Sequence, residues 1–322
     1  MQQRHTMILA VAGVAVAAGL YFTQGRAPSP SPAPVPAAPA PVATQAPEAT
    51  PKLDASAPPM PDAGVPFATA ESALRTRALA GDGAAAWRWY REQADCRRWR
   101  EWSAAPEGFA RKLIDASGVA TRDAPFYAMP PEEFAAFRNP SASTEVAAAN
   151  AQNLMERLES LCQGLAAAPD DDIYRIAARA AESGPKAAKW NFIDNPPVDL
   201  SANEERRRDW ARRATALAQK QLEAGDSEAA FALGVAYAKN TYDEGYAGAI
   251  RRDAFNGALE KDPVQAYELL SLYLRTQPAP ARQERTQQLL AELTSLVSTP
   301  DREAATERAE KLRAQYFTGR DN

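Results

Sequence analysis

The sequence predicts an all-α body built as a helix-turn-helix repeat solenoid, preceded by a membrane anchor and a disordered proline-rich linker. Three observations predict it. From Phe67 onward alanine is abundant and apolar residues recur at spacings of three and four, with no β-branched run and no Asn-Gly hairpin signal. Near the amino end, Met7 to Phe22 read MILAVAGVAVAAGLYF, apolar or small throughout and without a charge. Between these, the stretch from Ala27 to Pro66 holds a dense share of the chain's 26 prolines. The domain reading is therefore 1–24 for the anchor or signal, 25–66 for the linker and 67–322 for the helical body.

The head follows the logic of export. Arg4 and the amino terminus precede the apolar run, and no acid occurs before Glu48, so the amino end stays in the cytoplasm. Counted from Thr6 to Thr23, the run reaches the short end of what spans a bilayer. An uncleaved anchor is the leading expectation, with Tyr21 and Phe22 as interfacial residues. A cleaved signal is the alternative, although the small-x-small site Ala15-Val16-Ala17 lies inside the apolar run. The location expected is thus the inner membrane, single-pass with the C-terminal domain in the periplasm, or a soluble periplasmic form after cleavage.

The linker has Pro28, Pro30, Pro32, Pro34 and Pro36 at alternate positions. Proline fixes φ and removes the backbone donor, so neither helix nor sheet propagates. A semi-rigid polyproline-II spacer results, rising about 3.1 Å per residue.

In the body, Leu154, Leu158, Leu161 and Leu165 form one helical stripe, and Leu269, Leu270, Leu272, Tyr273 and Leu274 belong to another. Leu289, Leu290, Leu293, Leu296 and Val297 continue the pattern. Pro131 with Glu132 and Glu133, Asp262-Pro263, and Thr299-Pro300-Asp301 mark helix starts, with proline or acid in the first turn. Three segments share Gly-x-x-x-Ala between two helices: Gly81 and Ala85, Gly184 and Ala188, Gly225 and Ala229. Each glycine is expected to end a helix in a left-handed conformation, and each alanine to let the next helix pack closely. A bulky residue follows eight after each glycine: Trp89, Phe192 and Leu233. The interval from Gly184 to Gly225 suits a helix pair. The longer one from Gly81 to Gly184 is no clean multiple of it and implies inserted or degenerate material.

The stretch QLEAGDSEAAFALGVAY, followed by ALEKDPVQAYELLSLYL, resembles the Sel-like repeats (SLR), a branch of the tetratricopeptide superfamily. The residues that carry the resemblance are Gly225, Ala229, Leu233, Gly234 and Tyr237, then Asp262 and Ala266. The match is best over 203–277, partial at Gly81 and Gly184, and departs between Tyr237 and Ala258. The resemblance implies a helical solenoid that binds other proteins, often in a bacterial envelope.

Chemistry is limited by composition. The single histidine is His5, so the body has no imidazole for Ser-His-Asp or Cys-His catalysis or for a histidine metal site. Two cysteines make neither a Cys₄ zinc site nor an iron–sulfur cluster. In an exported body Cys96 and Cys162 are expected to form one disulfide, with two buried thiols as the alternative. The formal charge of −4 gives no net positive field for nucleic acid. The basic run from Glu204 to Arg213 pairs internally, Glu204 with Arg208 and Asp209 with Arg213, as a solvated helix face does. Asp170, Asp171 and Asp172 directly precede an apolar helix and are expected to cap it rather than to bind calcium. The cluster Trp87, Trp89, Tyr90, Trp99 and Trp102, with arginines interleaved, is either helical core or a partner-binding face.

These features predict a non-catalytic, envelope-located scaffold that mediates protein–protein interactions, with no metal, cofactor or nucleic acid. Its expected partners are other envelope proteins, with the membrane engaged through residues 6–23. A carboxylate-dependent cell-wall glycosidase on a helical scaffold and a structural accessory subunit of a membrane complex are the alternatives.

Overall fold

The computed structural model describes residues 57–103, 109, 112–113, 126–129, 131–137, 144–238, 255 and 259–317. All of them belong to one of the chain's two units, Ala49–Asn322. The expected anchor at 1–24, the linker up to residue 56 and the departure from the repeat pattern after Tyr237 lie outside the described residues, apart from Ala238 and Phe255. Among the described residues no helix is long and apolar enough to cross a membrane.

The described residues form eleven helices and no strand. They are α1 (Phe67–Leu79), α2 (Gly83–Ser103), α3 (Pro131–Phe137), α4 (Thr144–Cys162), α5 (Asp170–Ser183), α6 (Lys186–Asp194), α7 (Glu204–Glu223), α8 (Ser227–Ala238), α9 (Pro263–Arg275), α10 (Pro280–Thr294) and α11 (Thr299–Tyr316). The chain is all-α, as its periodicity predicts.

Local chemistry accounts for most of the boundaries. Phe67, Ala70, Leu74 and Ala78 put one buried stripe on α1, directly behind Pro66. Asp82 caps α2: the N–H groups of Ala84 and Ala85 each donate to its Oδ1 at 3.0 Å. Asn203 accepts from the Arg206 N–H at 2.9 Å to open α7. Asp262 accepts from Val264 and Gln265, with Pro263 in the first turn of α9. The leucine stripe of α4 stops earlier than its spacing implies. The helix ends at Cys162, and Gly164, at φ +76°, turns the chain before Leu165. In the last stripe, Leu289 and Leu293 are fully buried, whereas Leu296 follows the end of α10 and is exposed.

Helices adjacent in sequence pair as hairpins: α1 with α2, α5 with α6, α7 with α8. The hairpins then pack on one another, α2 on α5, α6 on α7 and α8 on α9, while α9 carries α10 and α11. The α1–α2 hairpin is thus a direct neighbour of α5–α6. The intervening α3 and α4 form a side layer, α4 lying against α1 and α2. That layer has its own small core, with Phe109, Phe126, Phe134, Leu154 and Leu158. This arrangement explains the long interval between Gly81 and Gly184, because the extra residues leave the row of hairpins and return to it.

The three glycine turns lie side by side. Gly81 and Gly225 have φ of 101° and 78°. Around each, the glycine N–H donates to the residue three back and the following aspartate N–H to the residue five back. Ser183 Oγ donates to the Gly81 carbonyl at 3.4 Å, and Lys186 Nζ meets Asp226 at 2.7 Å. Gly184 departs from the expected left-handed turn. Its φ and ψ are −89° and −170°, an extended conformation set by Pro185, which follows it. The small and bulky positions behave alike in all three segments, with Ala85, Ala188, Ala229, Trp89, Phe192 and Leu233 all buried.

Composition places the linker boundary too late. Pro58 to Val65, assigned to the linker by their prolines, are tied onto the α1–α2 hairpin. Arg88 donates to the carbonyls of Pro61, Asp62 and Val65 at 2.7, 2.8 and 3.0 Å, and Arg77 donates to that of Pro58 at 2.7 Å. Proline keeps its carbonyl acceptor when it loses the N–H, so guanidinium donors suit such a segment. Burial holds the Glu92 carboxyl above the ordinary range even with Arg88 beside it. Arg88→Met therefore removes three charge-assisted bonds and strands Glu92. The variant is expected to lose about 2 kcal/mol of stability and to become protease-sensitive between residues 58 and 66. Limited proteolysis with mass mapping checks this, and unchanged cleavage there refutes the role of Arg88.

The three aspartates at the start of α5 do not cap it by side-chain hydrogen bonds. Pro169 occupies the cap position, and each aspartate instead reaches an arginine on another helix. Asp170 meets Arg97 of α2 at 2.7 Å, Asp171 pairs with Arg206 of α7, and Asp172 pairs with Arg75 of α1 and with Arg175 of its own helix. They still lie at the positive end of the helix dipole, but they also link three neighbouring helices. The pairs Glu204–Arg208 and Asp209–Arg213 form as the helical spacing predicts, at 2.8 and 2.9 Å.

Candidate functional site

The aromatic stretch of α2 divides between core and surface. Trp89 is 0% exposed and its Nε1 donates to Glu71 at 2.9 Å, so it is a core residue and not part of a partner-binding face. Trp102 packs edge-on against Phe109 and Phe126 in the side layer, and Trp99 lies between the two cores. Trp87 and Tyr90 face a different way. They stack at 6.0 Å, and Tyr127, from the segment 126–129, meets Trp87 edge-on at 5.5 Å. Helical geometry explains the split: Trp87 and Tyr90, three apart, share one face of α2, whereas Trp89, two residues from Trp87, lies off that face.

Tyr90 and Tyr127 line a cleft of about 250 Å³ between α2, α5 and the end of α6. One wall is α2, through Tyr90, Gln93, Ala94, Arg97, Arg98 and Glu101. Opposite it lie Ile173 of α5, Asn191 of α6, and Asn195, Pro196 and Pro197 directly after α6. Asn195-Pro196-Pro197 cannot continue a helix, because the residue before a proline is driven to extended angles. Asn195 has φ −134° and ψ 119°. The chain therefore turns out of α6 at the rim of the cleft.

Tyr127 is pinned at both ends. Its backbone N–H and that of Ala128 donate to the two oxygens of Asp95 at 2.8 and 2.7 Å, and its hydroxyl accepts from Asn191 Nδ2. Asp95 is almost fully buried, next to Cys96. Burial pushes its carboxyl up to about 6, against the opposing pull of the two backbone N–H groups and of Arg98 and Arg91. The charges along the cleft are matched. Arg97 pairs with Asp170 at 2.7 Å and approaches Glu101 at 3.9 Å, while the Arg98 guanidinium lies 5.5 Å from the Phe126 ring centre. Gln93 is only 2% exposed, and its side-chain oxygen has no hydrogen-bond partner.

Asp95 carries a pH prediction. Its folded carboxyl holds a proton to higher pH than the unfolded one, so the native state binds more protons between about pH 4 and 6. Stability drawn from this group falls as pH rises through that window. The difference between wild type and Asp95→Asn is expected to change by on the order of 3 kcal/mol at most across it. Urea denaturation of both proteins at pH 4.5 and 7 measures the change, and parallel curves refute it.

The disulfide residues are joined: Cys96 in α2 and Cys162 at the end of α4 have an S–S distance of 2.02 Å. The repeat residues also come together. Gly234 of α8 faces Leu270 of α9, where an added Cβ would lie 2.8 Å from its Cγ, and the Asp262 N–H donates to the Tyr237 carbonyl at 3.0 Å. Ala266 is fully buried. Among the described residues no cluster of three or more acids, cysteines or histidines is arranged to hold a metal.

Of the α2 residues that the sequence singles out, Tyr90, Arg97 and Arg98 line this cleft, whereas Trp87, Trp89, Trp99 and Trp102 do not, and the opposite wall was missed. Tyr127, Asn191, Asn195, Pro196 and Pro197 lie far along the chain from Tyr90, and no local pattern marks them. The Asn-Pro-Pro break after a short helix is the nearest thing to a signal. The fold of the described residues is all-helical, and they present a polar cleft with an aromatic corner. Comparison with family models, with curated proteins and with solved structures finds no match for this chain.

Proposed function

We propose that the chain is a non-catalytic helical-repeat scaffold of the bacterial envelope that mediates protein–protein interactions. Its apolar head would anchor it in the inner membrane, and its proline-rich stretch would hold the body away from the bilayer in the periplasm. The observation that carries the reading is the cleft walled by α2 and the end of α6. Tyrosines and arginines are among the residue types enriched in protein interfaces. One carboxylate, Glu101, lies in the lining, whereas glycoside hydrolysis by carboxylates uses a facing pair. The repeat reading is supported by the matching turns at Gly81 and Gly225 and by hairpins packed in series. Hairpins in series are what the resemblance of Leu222 to Leu274 to the Sel-like repeats implies.

The test is crosslinking of the full-length protein in intact cells, followed by identification of the proteins bound to it. Envelope proteins enriched over a mock sample are the expected result. Recovery of none in any growth phase would sink the scaffold reading.

A further inference from the structure

We propose that the cleft between α2 and the end of α6 binds an extended, uncharged, proline-containing peptide segment of a partner protein. This rests on the scaffold reading and names the chemistry of what the scaffold holds.

Four observations converge. First, the charges of the cleft are already matched: Arg97 has Asp170 and Glu101, and Arg98 acts on the buried Asp95. A charged ligand would enter without a counter-charge, so a neutral one fits. Second, the Gln93 side-chain oxygen is enclosed and unpartnered, and buried acceptors left without a donor are costly. It needs an N–H from outside, which a peptide main chain supplies. Third, Gln93 and Arg97 are one helical turn apart on α2, roughly 5–6 Å. Alternate residues of an extended chain lie about 6–7 Å apart. One ligand N–H at Gln93 and one ligand carbonyl at Arg97 thus match the spacing of alternate residues in an extended, strand-like segment. Fourth, Tyr90, Tyr127, Pro196 and Pro197 offer flat apolar walls, the surroundings in which proline rings dock.

The same helix already seats such a segment. Arg88, on another face of α2, takes the carbonyls of Pro61, Asp62 and Val65. Guanidinium donors that read proline-rich carbonyls are therefore in use within this fold. A ligand in the cleft would meet the same chemistry through Arg97 and Arg98. A saccharide is the competing ligand, because its hydroxyls also donate. It has no use for the paired prolines and no regular row of carbonyls for the arginines.

The experiment uses the full-length protein in detergent and a fluorescein-labelled, amide-capped decapeptide alternating proline with alanine and valine. Fluorescence anisotropy is expected to show saturable binding. Tyr127→Ala should weaken it about tenfold, as loss of an aromatic anchor does, and Gln93→Leu should weaken it as well. A glycine-serine decapeptide should bind poorly, as should a version with two glutamates. Thermal unfolding by circular dichroism checks both variants, and Tyr127, at 39% exposure, carries the test if Gln93→Leu melts early. Absence of saturable binding overturns the proposal. So does equal binding of the glycine-serine peptide, indifference to Tyr127→Ala, or binding of tri-N-acetylglucosamine in place of the peptide. If crosslinked partners persist in cells carrying Tyr127→Ala, the scaffold reading stands and the cleft assignment falls.

Discussion

Replacing both Cys96 and Cys162 with alanine is expected to lower the stability of the body by about 4 kcal/mol. The bond joins the middle of α2 to the last residue of α4, with a sequence separation of 66. In the chain-entropy description, a closed loop of that length removes many conformations from the unfolded chain. The folded side adds to the argument. The layer formed by α3 and α4 stands outside the row of hairpins, and a second, smaller cluster of buried residues holds it. The disulfide, buried at both ends, connects that layer to the main core. Urea denaturation should therefore show a lower midpoint for the double variant. Hydrogen exchange should rise first in α4 and in 126–129, not in α8 and α9. A loss below about 1 kcal/mol would mean that α4 is held by its own packing alone. Tyr127 depends on the same region, so the variant is also expected to disorder one wall of the cleft.

Gly83→Ala is expected to cost on the order of 3 kcal/mol, at the upper end of overpacking. A Cβ at Gly83 would lie 2.3 Å from the Ser183 carbonyl carbon and 2.4 Å from the Gly184 nitrogen. The reciprocal Cβ at Gly184 would lie 2.9 Å from the Gly83 carbonyl oxygen and 2.3 Å from that of Ala180. Backbone meets backbone, so no side chain can swing aside. Two hairpin turns would have to separate, and the packing of α2 on α5 would loosen with them. Gly64→Ala is the control, since a Cβ there meets nothing within 4 Å, and its effect should stay within about 0.5 kcal/mol. Gly234→Ala should fall between the two, because Leu270 has some freedom to move. Thermal melts of the three variants give the order, and a Gly83→Ala melt equal to wild type would show that the turns do not abut.

The helices were legible because their causes are local. Apolar spacing in Phe67 to Ala78, the cap at Asp262-Pro263, and the pairs Glu204–Arg208 and Asp209–Arg213 all involve residues within a few positions of one another. The turn glycines were legible for the same reason at Gly81 and Gly225. At Gly184 the reading failed because the neighbouring proline overrode the usual glycine conformation. The candidate site was half legible. The aromatic and arginine residues of α2 stood out as a group, but their number exceeds what one helix face can expose. Which of them turned inward depended on what packed against α2.

By itself, then, the sequence determined the helical class, several helix starts and turns, and three residues of one cleft wall, Tyr90, Arg97 and Arg98. These follow from backbone preference, capping and side-chain spacing along a single helix. Tertiary structure alone decided that Trp89 lies wholly in the core while Tyr90, buried as well, borders the cleft, and that Pro58 to Val65 belong to the body. It also decided that Asp170, Asp171 and Asp172 join helices, and that Tyr127 and Asn191 complete the cleft. Each of these depends on groups brought together from afar, such as Asn191 with Tyr127 at a separation of 64 and Arg75 with Asp172 at 97. Burial and hydrogen bonding at that range act on the folded chain as a whole, and no local pattern records them.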